Sequence, residues 1–375
     1  MRRKMQPGEE GWTIFAPGRV NLIGEHIDYH GLPVLPMALC RGVTASFRAR
    51  RDRTISAASE GYGAREFEWT DRLEPVEAGD WENYLRAAAR IVGERWGVGR
   101  GVDASVVSDL PAAAGLSSST ALMVAFVIGL LRGNGHSPSF EELMEVLPDG
   151  EQFVGTRGGG MDHAACLGSR AGCASLIEFD PLSVRPVRVP PDWAFLVAHS
   201  MQTAEKAGGA REEYNARRTA GNSALRTLGY ATYREAIEAR ASAERLAGLE
   251  RDAFLHVTTE SQRVQDAVCT MERGDAGAFG RVLVESHASL RDRLKVSSHA
   301  LDRLVDAAMA SGAIGARLTG AGFGGCAVVL CARADAERVR QGLNERFYSG
   351  LGEGRILNAE PGPSVLENLY APSTD

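Results

Sequence analysis

Twenty-two residues from Leu110 to Leu131, LPAAAGLSSSTALMVAFVIGLL, constrain this chain more than any other stretch. Small residues at Ala112 to Ala114, then Gly115, Leu116 and the hydroxyls of Ser117, Ser118, Ser119 and Thr120, run straight into an apolar segment. That order predicts a tight loop opening a buried helix. The first N–H groups of a helix lack partners within it, and the macrodipole leaves partial positive charge there. Small side chains let the oxygens of an anion reach the main chain, so a phosphate site is one reading. A plain serine N-cap on a core helix is the other, and this stretch alone does not separate them. Val102, Ala104 and Val106 alternate as a strand feeding the loop, which gives the strand–loop–helix order an anion site requires.

The apolar part, Ala121 to Leu131, is about half of the roughly 20 residues a membrane span needs. MRRKMQPGEEGW at the start carries charge without an apolar segment, so no secretory signal and no membrane contact are expected and the location is read as cytoplasmic. A net charge of −6 argues against nucleic acid as a partner. With 375 residues, two domains sharing a cleft are expected, divided here as 1–190 and 191–375, in a chain expected to be a monomer. The six cysteines show no C-x-x-C spacing and read as reduced, mostly buried thiols. Of 42 basic residues only Lys4, Lys206 and Lys295 are lysines, and no G-x-x-x-x-G-K-[ST] loop or V-A-I-K strand occurs. Any phosphate chemistry must therefore draw its positive charge from another source.

Thr13 to Phe15 reads as a short strand closed by a turn at Ala16-Pro17-Gly18. Arg19, Glu25, His26, Asp28 and His30 then crowd into twelve positions punctuated by Gly24 and Gly31. The glycines imply a loop, where two histidines four apart do not share a helix face. A hydrogen-bonding site for a polyhydroxylated ligand is therefore preferred to a metal site. Val34 to Cys40 and Val43 to Ala49 read as strands, and Trp81 to Trp96 as a helix with one apolar face. Ser139 and Glu142 form a capping-box pattern on a helix running to Leu147. In EQFVGTRGGGMD, Glu151 to Asp162, three successive glycines imply close approach of backbone to ligand, and the carboxylate placed after that turn suits a catalytic acid or base. RPVRVPPDW is a probable domain connection. Helical periodicity fills about 210–310, and Asp335 to Phe347 reads as a last helix. RLTGAGFGGCAVVL satisfies G-x-G-x-x-G but places the glycines before a strand, so it is not a dinucleotide fingerprint and is expected to pack on a ligand or another loop.

Three of these stretches together resemble the GHMP kinases, and within them the galactokinases. APGRVNLIGEHIDYHGLPVLPMAL is similar to the galactokinase signature, LPAAAGLSSSTAL to the nucleotide-phosphate loop and RLTGAGFGGCAVVL to the third motif. The resemblance implies a two-domain α+β fold with the active site in the interdomain cleft, and phosphorylation of the C1 hydroxyl of galactose by ATP with Mg²⁺. It implies Arg19 and Asp162 as the catalytic pair, and Glu25, His26, Asp28, Gly159 and Tyr214 as the sugar site. Trp81, Gly115, Leu116, Ser117, Ser118 and Ser119 would meet ATP, and Ser119 and Glu151 the metal. Ile27, His30, His163 and Thr120 depart from the usual galactokinase residues. The glutamate that helps place Mg²⁺ is expected at position 150, where this chain has glycine. GTRGGGMD and LIEFDPL resemble the N-acetylgalactosamine kinase and yeast-type branch, which makes N-acetylgalactosamine the alternative substrate. A non-catalytic sugar and ATP sensor is the alternative from another class; a mevalonate- or homoserine-type kinase is disfavoured by GEHIDY.

Overall fold

A computed structural model describes residues 11–111, 115–155, 158–203, 209–351 and 355–370. The fold is α+β. Five strands, β1 (Gly11–Ile23), β2 (Leu35–Ala49), β3 (Thr54–Ser59), β4 (Gly63–Glu68) and β5 (Val102–Ser108), form a sheet in the order β1-β2-β5-β3-β4. Only the β3–β5 pair is parallel. Helices α1 (Glu82–Trp96), α2 (Ser118–Gly133), α3 (Phe140–Phe153) and α4 (Met161–Gly168) pack with it around α2, whose residues from Ala121 to Leu131 are nearly all buried. A hairpin of β6 (Cys173–Phe179) and β7 (Leu182–Arg188) follows. The second main sheet has the order β11-β8-β10-β9, from β8 (Trp193–His199), β9 (Gly315–Thr319), β10 (Cys326–Ala332) and β11 (Ile356–Asn358). Between β8 and β9 run α5 (Ala210–Leu228), α6 (Tyr233–Glu238), α7 (Gly248–Glu272), α8 (Ala276–Ser289) and α9 (His299–Ala310). After β10 come α10 (Ala336–Leu343) and, beyond β11, α11 (Val365–Tyr370), which packs back against α4 and β1.

Several elements differ from their sequence reading. No turn closes a strand at Ala16-Pro17-Gly18: β1 continues through it to Ile23, with a register shift between Pro17 and Arg19. Because β1 is an edge strand and the bulge disrupts the ladder locally, the missing Pro17 N–H is tolerated. Gly42 is required opposite, since a Cβ there would lie 2.1 Å from Ala16 O. The two strands read at 34–49 are one, β2. Helix α3 has the full capping box at Ser139 but does not stop at Leu147; it passes through Pro148 to Phe153, held by the packing of Leu143, Leu147 and Gly150. Pro186 stands inside β7, in a two-stranded sheet with no inner strand to disrupt, so the connection between the halves is limited to the residues around Pro190 and Pro191. The short helix α11 has no counterpart in the sequence reading. Cys166, Cys326 and Cys331 are buried, but Cys40 and Cys269 are exposed and Cys173 is partly so. Among the described residues no helix is long and apolar enough to cross a membrane.

Candidate active site

Arg19 follows the β1 bulge, and Asp162 lies in the first turn of α4, directly after the left-handed Gly160 (φ 91°). Their side chains meet as a fork: Arg19 Nε donates to Asp162 Oδ1 at 2.7 Å and Nη2 to Oδ2 at 2.8 Å. The remaining arm, Nη1, donates to Gly115 O at 2.7 Å, tying the pair to the loop before α2. Burial opposes the charge of Arg19, but Asp162, Glu25 and Asp28 outweigh it and raise its pKa above the ordinary value. Ser117 Oγ also donates to Asp162 Oδ2. Ser117 itself is left-handed (φ 58°), and no side chain caps α2. Ser139 caps α3, whereas no side chain caps α2, so the plain N-cap reading of the serine stretch does not hold.

A cavity of about 690 Å³ opens over this pair. It lies between the two halves of the chain, walled by the turn after β1, the glycines before α4, the start of α5 and the loop from Gly320 to Phe323. Eight expected residues line it, namely Arg19, Glu25, His26, Asp28, Glu151, Gly159, Asp162 and Tyr214. Gly159 is a close-approach glycine, since a Cβ there would lie 2.4 Å from Asp28 Oδ2 and 2.5 Å from Tyr29 N. Burial, then the nearby Asp162, push the Asp28 carboxyl up to about 7, although the Tyr29 backbone and Arg19 counter them. His26 is strained (φ 62°) and its ring is held at both nitrogens, Nδ1 by Tyr29 OH at 2.9 Å and Nε2 by Ala321 O at 3.1 Å. Because a carbonyl can only accept, Nε2 carries the hydrogen and Nδ1 accepts from Tyr29. Burial lowers the His26 pKa, consistent with that neutral tautomer. Tyr214 packs its ring 5.2 Å from that of His26 and 5.5 Å from Tyr29, and burial raises its pKa well above 10.

The metal-directed expectation names Glu151, one residue after the position where the resemblance implies a glutamate. Gly150 faces inward, where a Cβ would lie 2.7 Å from Met123 Sδ, so no carboxylate fits there. Glu151, one residue further round the helix, lines the cavity with Thr120 Oγ1 at 3.3 Å and His163 Nε2 at 3.5 Å from its Oε1. Among the described residues no group of three or more His, Cys, Asp or Glu gathers for a metal. The Glu151 carboxylate beside the Thr120 hydroxyl in the first turn of α2 nevertheless fits Mg²⁺, which keeps several waters and takes its other ligands from phosphate oxygens.

The remaining ATP-directed residues lie outside the cavity wall. Leu116 is core, its carbonyl accepting from Arg19 N at 3.1 Å. Ser118 and Ser119 are half-buried at the first turn of α2. Trp81 belongs to the apolar cluster under the first sheet. Ala112 to Ala114 lie outside the described residues. The third stretch does meet another loop: a Cβ on Gly320 would stand in ordinary contact with Gly115 O, at 3.7 Å. Sequence reasoning missed Tyr29, Glu212 and Phe323, and a fully buried set behind the cavity, Arg317, His256 and Glu260. Tyr29 stood within the sugar signature, and Arg317 opened the third motif, but nothing local marked their partners.

Residues 4–49 match the galactokinase galactose-binding signature, 83–170 the GHMP kinases N terminal domain, and 266–349 the GHMP kinases C terminal region. A galactokinase of Roseiflexus sp. (strain RS-1) is 36% identical over 348 residues, spanning 90% of this chain and 88% of its own. The chain belongs to the galactokinase family. A crystal structure of Lactococcus lactis galactokinase complexed with galactose matches this galactokinase-family fold with a TM-score of 0.86, at 26% identity, over 95% of this chain and 94% of that one. Methanococcus jannaschii mevalonate kinase, at 16% identity and a TM-score of 0.69 over 95% of this chain and 100% of its own, shares the fold. The disfavoured mevalonate-type reading thus reduces to common architecture, while the signature at 4–49 carries the galactokinase assignment.

Proposed function

We propose that this chain transfers the γ-phosphoryl group of ATP to the C1 hydroxyl of galactose, releasing ADP and galactose 1-phosphate, with Asp162 and Arg19 as the catalytic pair. The observation that carries this reading is the Arg19–Asp162 fork at the cavity wall, beside the uncapped start of α2. Phosphoryl transfer proceeds through a loose transition state, so placing the hydroxyl and neutralising charge supply most of the catalysis. Asp162 already accepts from Arg19 and Ser117, which fixes its orientation. Its carboxylate accepts the C1 proton as the O–P bond forms, and Arg19 steadies the charge between acceptor and phosphate. Asp28, His26, Gly159 and Tyr214 hold the sugar, with Glu25 completing their wall. The α2 amides, Ser118 and Ser119 take the phosphates. Glu151 and Ser119 would hold a Mg²⁺ ion, which when bound neutralises phosphate charge that this lysine-poor chain cannot.

The same reading includes a cytoplasmic monomer and a division of the chain at 190 and 191, with α11 crossing back to the first half. Buried groups that read individual hydroxyls reject sugars lacking them. With MgATP, ADP release should therefore be fast with galactose, slower with N-acetylgalactosamine and poor with glucose. A higher kcat/KM for N-acetylgalactosamine would reassign the substrate, and no ADP release with any sugar despite binding of both ligands would favour a sensor.

A further inference from the structure

The turn Gly24-Glu25-His26 ends the first long strand, yet the groups that fix it come from the other half of the chain. Gly24 N donates to Glu260 Oε1 at 3.1 Å, and His256 Nε2 donates to Glu25 O at 3.0 Å while its Nδ1 accepts from Ser289 at 2.9 Å. Glu25 Oε1 takes three contacts: Gly320 N at 2.6 Å, Arg317 Nη2 at 2.9 Å and Thr319 Oγ1 at 3.3 Å. Arg317 is fully buried, and its Nη1 donates to Leu22 O at 2.8 Å, so one guanidinium spans both the backbone of β1 and the Glu25 carboxylate. Of the contacts to Glu25 Oε1, Gly320 N donates, Arg317 Nη2 pairs by charge without hydrogen-bond alignment, and Thr319 Oγ1 stands nearer Asn21 O, at 2.9 Å; a free reader of sugar hydroxyls would need no such buried partners.

We propose that Arg317 is a positioning residue for the sugar. By holding Glu25 Oε1 together with the Gly320 amide, it sets the strained turn that aims His26 and Asp28 into the cavity, and so makes the sugar wall depend on docking of β9 against β1. Its broad guanidinium is needed because the Leu22 carbonyl and the Glu25 charge stand at two fixed positions and must be met at once, which a compact lysine ammonium does less well. The inference rests on the galactose kinase reading, and the measurement separates the two.

In Arg317→Lys the charge survives and the broad guanidinium does not. We expect KM and the calorimetric Kd for galactose to rise about tenfold, with KM for ATP changed by less than about twofold, since only the sugar wall is displaced. Arg317→Met, if folded by circular dichroism, should raise them further. A Glu25→Gln change should weaken galactose in the wild-type background but add little in Arg317→Lys, because both act through one contact. Galactose KM unchanged in Arg317→Lys, equal losses for both ligands, or fully additive losses in the double variant would overturn the proposal. Wild-type protein inactive on galactose would instead defeat the reading beneath it.

Discussion

Two carboxylates flank the turn after β1, Glu260 fully buried behind it and Asp28 half-buried at the cavity, and they are treated in opposite ways. Glu260, behind the turn, feels a burial penalty, but His256, Arg263, Arg317 and Ser286 outweigh it and lower its pKa to about 2. Arg263 Nε donates to it at 2.7 Å, Ser286 Oγ at 2.7 Å and Gly24 N at 3.1 Å. Asp28, on the cavity side, has burial and Asp162 against it and rises to about 7. Behind the turn the Glu260 carboxylate is met by three protein donors, although Arg263 Nη2 and Arg317 Nε and Nη2 find no hydrogen-bond partner there, whereas Asp28 faces the cavity. Two of the six described non-glycine residues with positive φ, His26 (φ 62°) and Phe323 (φ 60°), line the cavity. On the proposed reading, polar groups behind the turn secure the fold and those in front act on the ligand at some cost to it.

The sharpest way to break that comparison is to change a front residue and look for lost stability rather than lost rate. Asp162→Asn keeps the shape of the side chain and removes its charge, so kcat should fall about 10²–10⁴-fold with galactose still bound. A variant retaining more than about a tenth of the wild-type rate would end the assignment of Asp162 as proton acceptor.

The converse test is at the back. Glu260→Ala leaves Arg263 and the Gly24 amide without their buried partner, and stability should fall by about 3–5 kcal/mol in denaturant unfolding. Among molecules that remain folded kcat should be nearly unchanged, because Glu260 is not part of the cavity wall. A loss of rate without loss of stability would erase the distinction between the two sides.

The front of the site was largely legible in the sequence because its residues cluster in short stretches: Arg19 to Asp28, Gly115 to Ser119 and Gly159 to Asp162. Glycine there has a physical reason that sequence alone exposes, since Gly159 admits no Cβ beside Asp28. The back was not legible. Glu25 meets Arg317 and Gly24 meets Glu260 across more than two hundred residues; Arg317 opens the third motif but nothing local pairs it with Glu25, and Glu260 reads as an ordinary helix charge. Glycine at 150 already left Glu151 as the carboxylate, and the physical reason is that position 150 faces the core, where a Cβ would lie 2.7 Å from Met123 Sδ. Pro17 and Pro148 misled the boundaries, because an edge bulge and tertiary packing absorb the penalties that local rules assign to proline.

The smallest expected effect concerns pH and separates the two carboxylates directly. Asp28 has its folded pKa raised from 3.8 to about 7, so between these values the folded protein holds a proton that the unfolded chain releases. Its contribution to stability is fully present below about pH 3.8 and is lost as pH rises through 7. Glu260 runs the other way: lowered from 4.5 to about 2, it contributes above pH 4.5 and ceases to as pH falls through 2. For the ligand, sugar hydroxyls donate best to an ionised Asp28, so galactose should bind about tenfold more tightly at pH 8 than at pH 6, as expected when only the ionised form of a group of pKa about 7 binds. The neighbouring groups leave that window clear, since burial holds His30 at about 3 and His256 at about 4, lowers His26 and raises Tyr29 and Tyr214. Calorimetry in two buffers of different ionisation heat should show net proton release on galactose binding at pH 7, absent in Asp28→Asn. An affinity flat from pH 6 to 8, or a slope that survives Asp28→Asn, would mean that Asp28 is not the group the sugar satisfies, and the asymmetry between front and back would lose its functional meaning.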